Sequence, residues 1–169
     1  MNVVKIYLDN FKRITASLKK IEARHKGEFY QIDTYYNCRN SRLKIREINN
    51  KNFELIFYQR ANSKNSKSCN YQILDIKKDQ IKIIKSILKN TLGEKVVIKK
   101  ERDLWIYKHT RIHLDKIDKL GKFLELETVI KKINHRGGKI EHDELINLLG
   151  LSSYKKYGKS YSDLLCSGF

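Results

Sequence analysis

The stretch Arg111–Glu127, RIHLDKIDKLGKFLELE, restricts the fold more than any other part of the chain. Successive side chains of a strand point to opposite sides, so Arg111, His113 and Asp115 share one face. After a turn near Lys119–Lys122, Glu125 and Glu127 return to that face, while Ile112, Leu114, Leu124 and Leu126 occupy the other. The segment therefore reads as a hairpin with three carboxylates on a polar side and an apolar side that must pack. A solvated outer face is one reading of this pattern. The other inverts the usual half-exposed sheet: a barrel with a wet interior, covered outside by helices. Clustered carboxylates repel one another unless a cation sits among them, and hard divalent ions take oxygen ligands.

The flanking segments supply the cations. Val3–Leu8 reads as a first strand carrying Lys5, followed by a helix capped by Asn10, with Phe11, Ile14, Leu18 and Ile21 at helical spacing and an end before Gly27. Phe29–Asn37 is aromatic and β-branched and reads as a second strand. Arg42–Glu47, RLKIRE, alternates cleanly, with Arg42, Lys44 and Arg46 on one face. Phe53–Arg60 is its hairpin partner across the Asn49–Asn52 turn and brings Arg60 to the same row. Tyr71–Ile76 is a further strand, and Asp79–Asn90 an amphipathic helix (Ile81, Ile84, Leu88) stopped near Gly93. Lys95–Arg102 places Lys100 and Arg102 on one side, and Leu104–Tyr107 leads into the hairpin. Glu141–Leu149 is a short helix, and KSYSDLL sets Lys159 beside a last extended segment. The expectation is an α+β, mainly β, single domain over residues 1–169: a closed antiparallel eight-stranded barrel with flanking helices.

With 169 residues and 40% hydrophobic side chains, the chain can bury a full core, although 33% of its residues are charged. The excess of 36 basic over 19 acidic residues gives a net charge of +17, which favours polyanionic partners such as nucleic acids, phosphorylated small molecules or anionic membranes. Cys38, Cys69 and Cys166 show neither CxxC nor HxxxH spacing and read as reduced thiols of a cytoplasmic protein. No stretch reaches the apolar length of a membrane span, so no membrane partner is expected. The loose tract Ala61–Asn70, ANSKNSKSCN, reads as a loop. A row of Arg and Lys facing an acidic cluster is what a triphosphate with a divalent metal requires: cations hold phosphate oxygens, and carboxylates hold the bridging ion.

Taken together, DTYYN (Asp33–Asn37), RLKIRE (Arg42–Glu47), LIFYQR (Leu55–Arg60), NYQI (Asn70–Ile73), TRIHLDKIDKLGKFLELE (Thr110–Glu127) and KSYSDLL (Lys159–Leu165) resemble the CYTH family of triphosphate tunnel enzymes. That family includes class IV adenylyl cyclases and thiamine or inorganic triphosphatases, and the segments occur in its order. The resemblance implies phosphate-binding roles for Lys44, Arg46, Arg60, Lys100, Arg102, Arg111 and Lys159, and metal-binding roles for Asp115, Glu125 and Glu127 with Mg²⁺ or Mn²⁺. Lys5 matches the lysine of the family's first-strand ExExK motif. Here that strand reads MNVVK, so the two glutamate positions fall on Met1 and Val3, and valine cannot ligate a metal.

Three function classes follow. One is a metal-dependent enzyme that cyclises a nucleotide or hydrolyses a triphosphate, with Lys5, His113 and Asp115 as catalytic candidates; for His113 the alternatives are a general base or a phosphate or hydrogen-bond contact. A second is a weakened tunnel protein that only binds or sequesters a nucleotide or a cyclic or oligomeric phosphate. The third is a nucleic-acid binder, or a triphosphatase of RNA 5′ ends. A homo-oligomer is compatible with each. Tyr58 stands where relatives often carry lysine and reads as packing, Trp105 as core, and the pairs Lys77–Lys78, Lys131–Lys132 and Lys155–Lys156 as solvated surface.

Overall fold

The computed structural model describes residues 2–60, 69–129 and 134–168, without the side chains of residues 2, 60 and 69–71. Its elements run β1 (Asn2–Leu8), α1 (Lys12–Lys20), β2 (Arg24–Tyr36), β3 (Arg42–Ile48), β4 (Asn52–Arg60), β5 (Cys69–Ile76), α2 (Ile81–Leu92), β6 (Glu94–Tyr107), β7 (Thr110–Ile117), β8 (Gly121–Thr128), α3 (His135–Leu148), β9 (Lys156–Tyr157) and α4 (Tyr161–Ser167). Most of the loose tract beginning at Ala61, and the pair Lys131–Lys132, lie outside the described residues.

The strands follow the order β5-β4-β3-β2-β6-β7-β8-β1-β9. This corrects the expectation of a closed eight-stranded barrel: among the described residues the order holds nine strands and is open, with β5 and β9 at its ends. After β9 the chain adds no further strand among the described residues. KSYSDLL does not extend into a strand; Ser160 accepts a hydrogen bond from the Asp163 amide, Asp163 accepts from the Ser160 amide, and this reciprocal cap starts α4.

Two compact units divide the chain: Met1–Phe29 with Glu101–Lys159, and Tyr30–Lys100 with Ser160–Phe169. In the first unit β7, β8 and β1 form antiparallel ladders. Ile112, Leu114, Leu124 and Leu126 are at most 1% exposed. They pack with Ile6, with Ile14 and Leu18 of α1, and with Leu145 and Ile146 of α3. The apolar side of the hairpin is thus covered by helices, as the alternation implied, and each such Leu or Ile contributes about 1.5–3 kcal/mol on burial. Trp105 joins the same core. The turn between β7 and β8 needs positive φ at Lys119 and Gly121, and a Cβ on Gly121 would lie 3.0 Å from Tyr7 Cε2.

Two boundaries in this unit differ from the expectation. Asn10 does not cap α1; Phe11 occupies the N-cap without a side-chain bond, and Asn10 Oδ1 instead accepts from the Lys12 amide at 3.1 Å. The helix stops at Lys20, before Gly27 as expected, and Gly27 itself lies inside β2 with φ 120°. α3 begins earlier than Glu141, because Asn134 accepts from the Gly137 amide at 2.7 Å and starts the helix ahead of Gly137 and Gly138.

In the second unit the C-terminal half of β2 pairs with β3, β3 with β4, and β4 with β5. Ile81, Ile84 and Leu88 of α2 pack on Tyr36, Ile45, Phe53 and Ile76. The β3–β4 turn uses positive φ at Asn49 and Asn50, and α2 ends at Gly93 with φ 73°. Among the described residues no helix is long and apolar enough to cross a membrane.

Candidate functional site

In the first unit, the register of three strands builds the polar face. Glu125 stands opposite Lys5 on β1 and opposite His113 on β7, and the next row joins Val3, Glu127 and Arg111. Arg102 on β6 donates to both oxygens of Asp115, at 2.6 Å through Nε and 2.7 Å through Nη2, and reaches Glu125 Oε2 at 3.2 Å. Lys5 Nζ lies 2.9 Å from Glu125 Oε1. Asp115 is fully buried, Lys5 and His113 nearly so. Burial works to raise the Glu125 carboxyl, but Lys5, His113 and Arg102 outweigh it and hold the group well below the usual carboxylate range. For His113, burial and Arg102 prevail over Glu125 and Asp115, so the imidazole sits below its ordinary value.

Glu127 differs from its neighbours. Arg111 Nη1 lies 3.8 Å from its Oε2 and His113 Nε2 4.0 Å, ion-pair distances rather than hydrogen bonds. Oxygen donors of this kind suit a hard divalent ion, and Glu127 makes looser contacts than Glu125, whose oxygens already meet Lys5 at 2.9 Å and Arg102 at 3.2 Å. Asp115 has both oxygens committed to Arg102. Among the described residues no three His, Cys, Asp or Glu side chains are already gathered into a metal-holding group. The predicted trio therefore shares a face without forming a ready ligand set. Val3 occupies the position opposite Glu127, where a further carboxylate would complete the row.

The second unit holds a cation cluster built around a carboxylate that composition and spacing did not mark as a site residue. Asp33, 2% exposed, stands opposite Arg46 in the β2–β3 register. It accepts from Arg46 Nε at 2.8 Å and Nη2 at 3.2 Å and from Lys44 Nζ at 3.0 Å, with Lys100 Nζ at 3.7 Å. Burial raises the Asp33 carboxyl, yet Lys44, Lys100 and Arg46 together drive it well below the normal range. Burial lowers Lys44 from its usual value despite Asp33. Tyr58 is buried and hydrogen-bonded to Tyr35, which fits packing, and burial first, then Tyr35, lifts its phenol to about 12.

The predicted residues thus fall into two sets, each within its own unit: Lys5, Arg102, His113, Asp115, Glu125 and Glu127 in the first, Lys44, Arg46 and Lys100 in the second. Arg111 stands on the polar side of the hairpin but is 54% exposed. Lys159 is exposed, in the turn before α4. Arg60 ends β4, and its side chain lies outside the described residues. Arg42, which shares the row of Lys44 and Arg46, is spent on α4, donating to both Asp163 oxygens at 2.9 Å.

The chain is similar to known proteins over most of its length. The CYTH domain family model matches residues 2–161. A Methanocaldococcus jannaschii protein carrying a provisional adenylate cyclase name is 27% identical over 171 residues, 95% of each chain. A solved Pyrococcus horikoshii structure superposes with a TM-score of 0.82 at 22% identity, over 96% of this chain and 97% of that one. A Hippeastrum protein, provisionally an adenylyl cyclase and described with a dominant triphosphatase activity, superposes with a TM-score of 0.67 at 14% identity, over 98% and 95% of the two chains.

Proposed function

Because the chain belongs to the CYTH domain family, we propose that it is a metal-dependent enzyme of the triphosphate tunnel type, acting on a triphosphate-containing nucleotide or a related polyphosphate. The observation that carries the reading is the polar face of the first unit, where Lys5, Arg102 and His113 interleave with Asp115, Glu125 and Glu127. A site for a metal-bound phosphate chain needs both signs of charge at close quarters. The relatives named for adenylate cyclase and for triphosphatase activity support the same substrate class.

Phosphoryl chemistry asks the protein for positioning and charge neutralisation more than for a covalent nucleophile. In this reading Lys44, Arg46 and Lys100 of the second unit hold phosphate oxygens, as does Arg102 of the first, Arg in its planar two-pronged manner. Arg60 of the second unit and Arg111 and Lys159 of the first are assigned the same role. Arg102 would exchange Asp115 for a phosphate oxygen on binding, releasing carboxylate oxygens for Mg²⁺ or Mn²⁺ beside Glu125 and Glu127. The ion, when bound, screens phosphate charge and activates the attacking oxygen. Lys5 fixes Glu125, and His113, kept neutral at physiological pH, serves as a base or as a contact to the phosphate chain. The chain would act in the cytoplasm.

A second reading has a specific observation behind it. Val3 faces Glu127, and Asp115 is fully engaged by Arg102, so the carboxylates available to an ion are reduced while the cations are intact. That is the pattern of a protein that binds or sequesters a polyphosphate without turnover. The deciding experiment is incubation with ATP, thiamine triphosphate and tripolyphosphate, each with Mg²⁺ or Mn²⁺, assaying free phosphate and cyclic nucleotide together. Metal-dependent product from any one supports the enzyme. Tight binding without product supports the binder, and absence of both overturns the substrate class.

A further inference from the structure

We infer that Asp33 is a positioning residue for anion binding: a resident carboxylate that gathers Lys44, Arg46 and Lys100 of the second unit and keeps them charged and aligned while no phosphate is present. The inference rests on the proposed reading of those three cations as phosphate ligands.

The geometry supports it in three steps. Asp33 takes the Nε and Nη2 edge of Arg46, at 2.8 and 3.2 Å, which fixes the plane and direction of the guanidinium. It draws Lys44 Nζ to 3.0 Å and Lys100 Nζ to 3.7 Å, so three cations that would repel one another share the charge of Asp33. The cluster therefore keeps a net excess of two positive charges, with side chains that have already lost their rotamer freedom before a ligand arrives.

Burial makes the counter-charge necessary. Lys44 and Lys100 are 6% and 4% exposed, and a buried ammonium sheds its proton readily unless an anion faces it. The groups facing Lys44 come from three strands: Asp33 and Tyr35 on β2, Arg46 on β3 and Tyr58 on β4. Of these, Asp33 is the one ionised acid, since both phenols are raised by burial, Tyr58 to about 12. Arg42 of the same row is engaged by Asp163, and Lys100 stands 5.6 Å from the ring of Tyr161. Neither contact brings a further carboxylate to Lys44. A surface anion competitor would look different, because a carboxylate meant only to exclude ligands has no need to be 2% exposed and bound through both oxygens.

The test uses the whole chain, inorganic tripolyphosphate as the probe, and calorimetric titration from pH 6 to 10. In the wild type, affinity falls on the alkaline side once Lys44 begins to lose its proton in the free protein. Asp33→Asn should move that alkaline midpoint down by at least about one pH unit, which corresponds to roughly a tenfold loss of affinity at a pH above both midpoints. Asp33→Glu keeps the charge but displaces the carboxylate; it should retain the midpoint and lose affinity severalfold at neutral pH, and it decides the matter alone if Asp33→Asn does not fold. An unchanged midpoint in Asp33→Asn, tighter binding at every pH, or wild-type affinity in Asp33→Glu overturns the inference. If the wild type itself ignores tripolyphosphate, the reading of these three cations as ligands of a free phosphate chain falls. NMR titration of the Lys44 ammonium then judges Asp33 without any ligand: a lower titration point in Asp33→Asn upholds its role, and an identical one refutes it.

Discussion

Arg102 is the most informative single residue to remove. Its partner Asp115 is completely buried and receives two charge-assisted bonds, at 2.6 and 2.7 Å, from the one guanidinium. Arg102→Met leaves that carboxylate short of both bonds, and breaking a buried ion pair from one side costs about 3–5 kcal/mol. For a chain of this size that is a fall in Tm of about 10 °C. Asp115→Asn should cost less, because Arg102 still has Glu125 at 3.2 Å. The decisive quantity is the double variant. Removing both charges eliminates the stranded anion, so Arg102→Met with Asp115→Asn should be more stable than Arg102→Met alone by about 2 kcal/mol. Urea unfolding at pH 7, followed through the buried Trp105, measures all four corners of the cycle. A single Arg102→Met penalty below about 1 kcal/mol, or a double variant as unstable as the sum of the singles, would refute the view that Arg102 is the counter-charge of Asp115.

Other outcomes can be stated briefly. Burial pushes the Asp163 carboxyl up, but Arg42 and Ser160 prevail and bring it down to about 2. A depressed carboxyl stabilises the fold above its unfolded value and loses that contribution as pH falls through the folded one. Asp163→Asn should therefore lower stability at pH 7 by about 1–2 kcal/mol, with the gap to wild type closing between about pH 4 and pH 2 in thermal melts. Val3→Glu puts a carboxylate opposite Glu127; Tm should drop without metal, recover with Mn²⁺, and triphosphate turnover should rise, whereas an equal Tm with and without Mn²⁺ counts against a metal at that row. Gly121→Ala forces a side chain into a left-handed turn and against Tyr7, and chemical denaturation should show a loss of about 1–3 kcal/mol.

Local periodicity carried the hairpin, because both of its faces are written into one unbroken stretch: Ile112 and Leu114 alternate with His113 and Asp115, and a short turn sets the register at once. The same holds for Lys44 and Arg46. What local pattern could not carry was anything settled by a partner far along the chain. Asp33 sits in an aromatic strand where a single acid looks incidental; only the pairing that sets it opposite Arg46, with β6 contributing Lys100, makes it the centre of a charge cluster. KSYSDLL misleads for the opposite reason. It reads as following a last extended segment, but Ser160 and Asp163 satisfy each other's amides, and Arg42 rewards the helix with two further bonds to Asp163. A strand continuing through Ser160 would lose the reciprocal cap between Ser160 and Asp163. The helical fate of this segment thus follows from an arginine whose face was legible in RLKIRE and whose partner, more than a hundred residues away, was not.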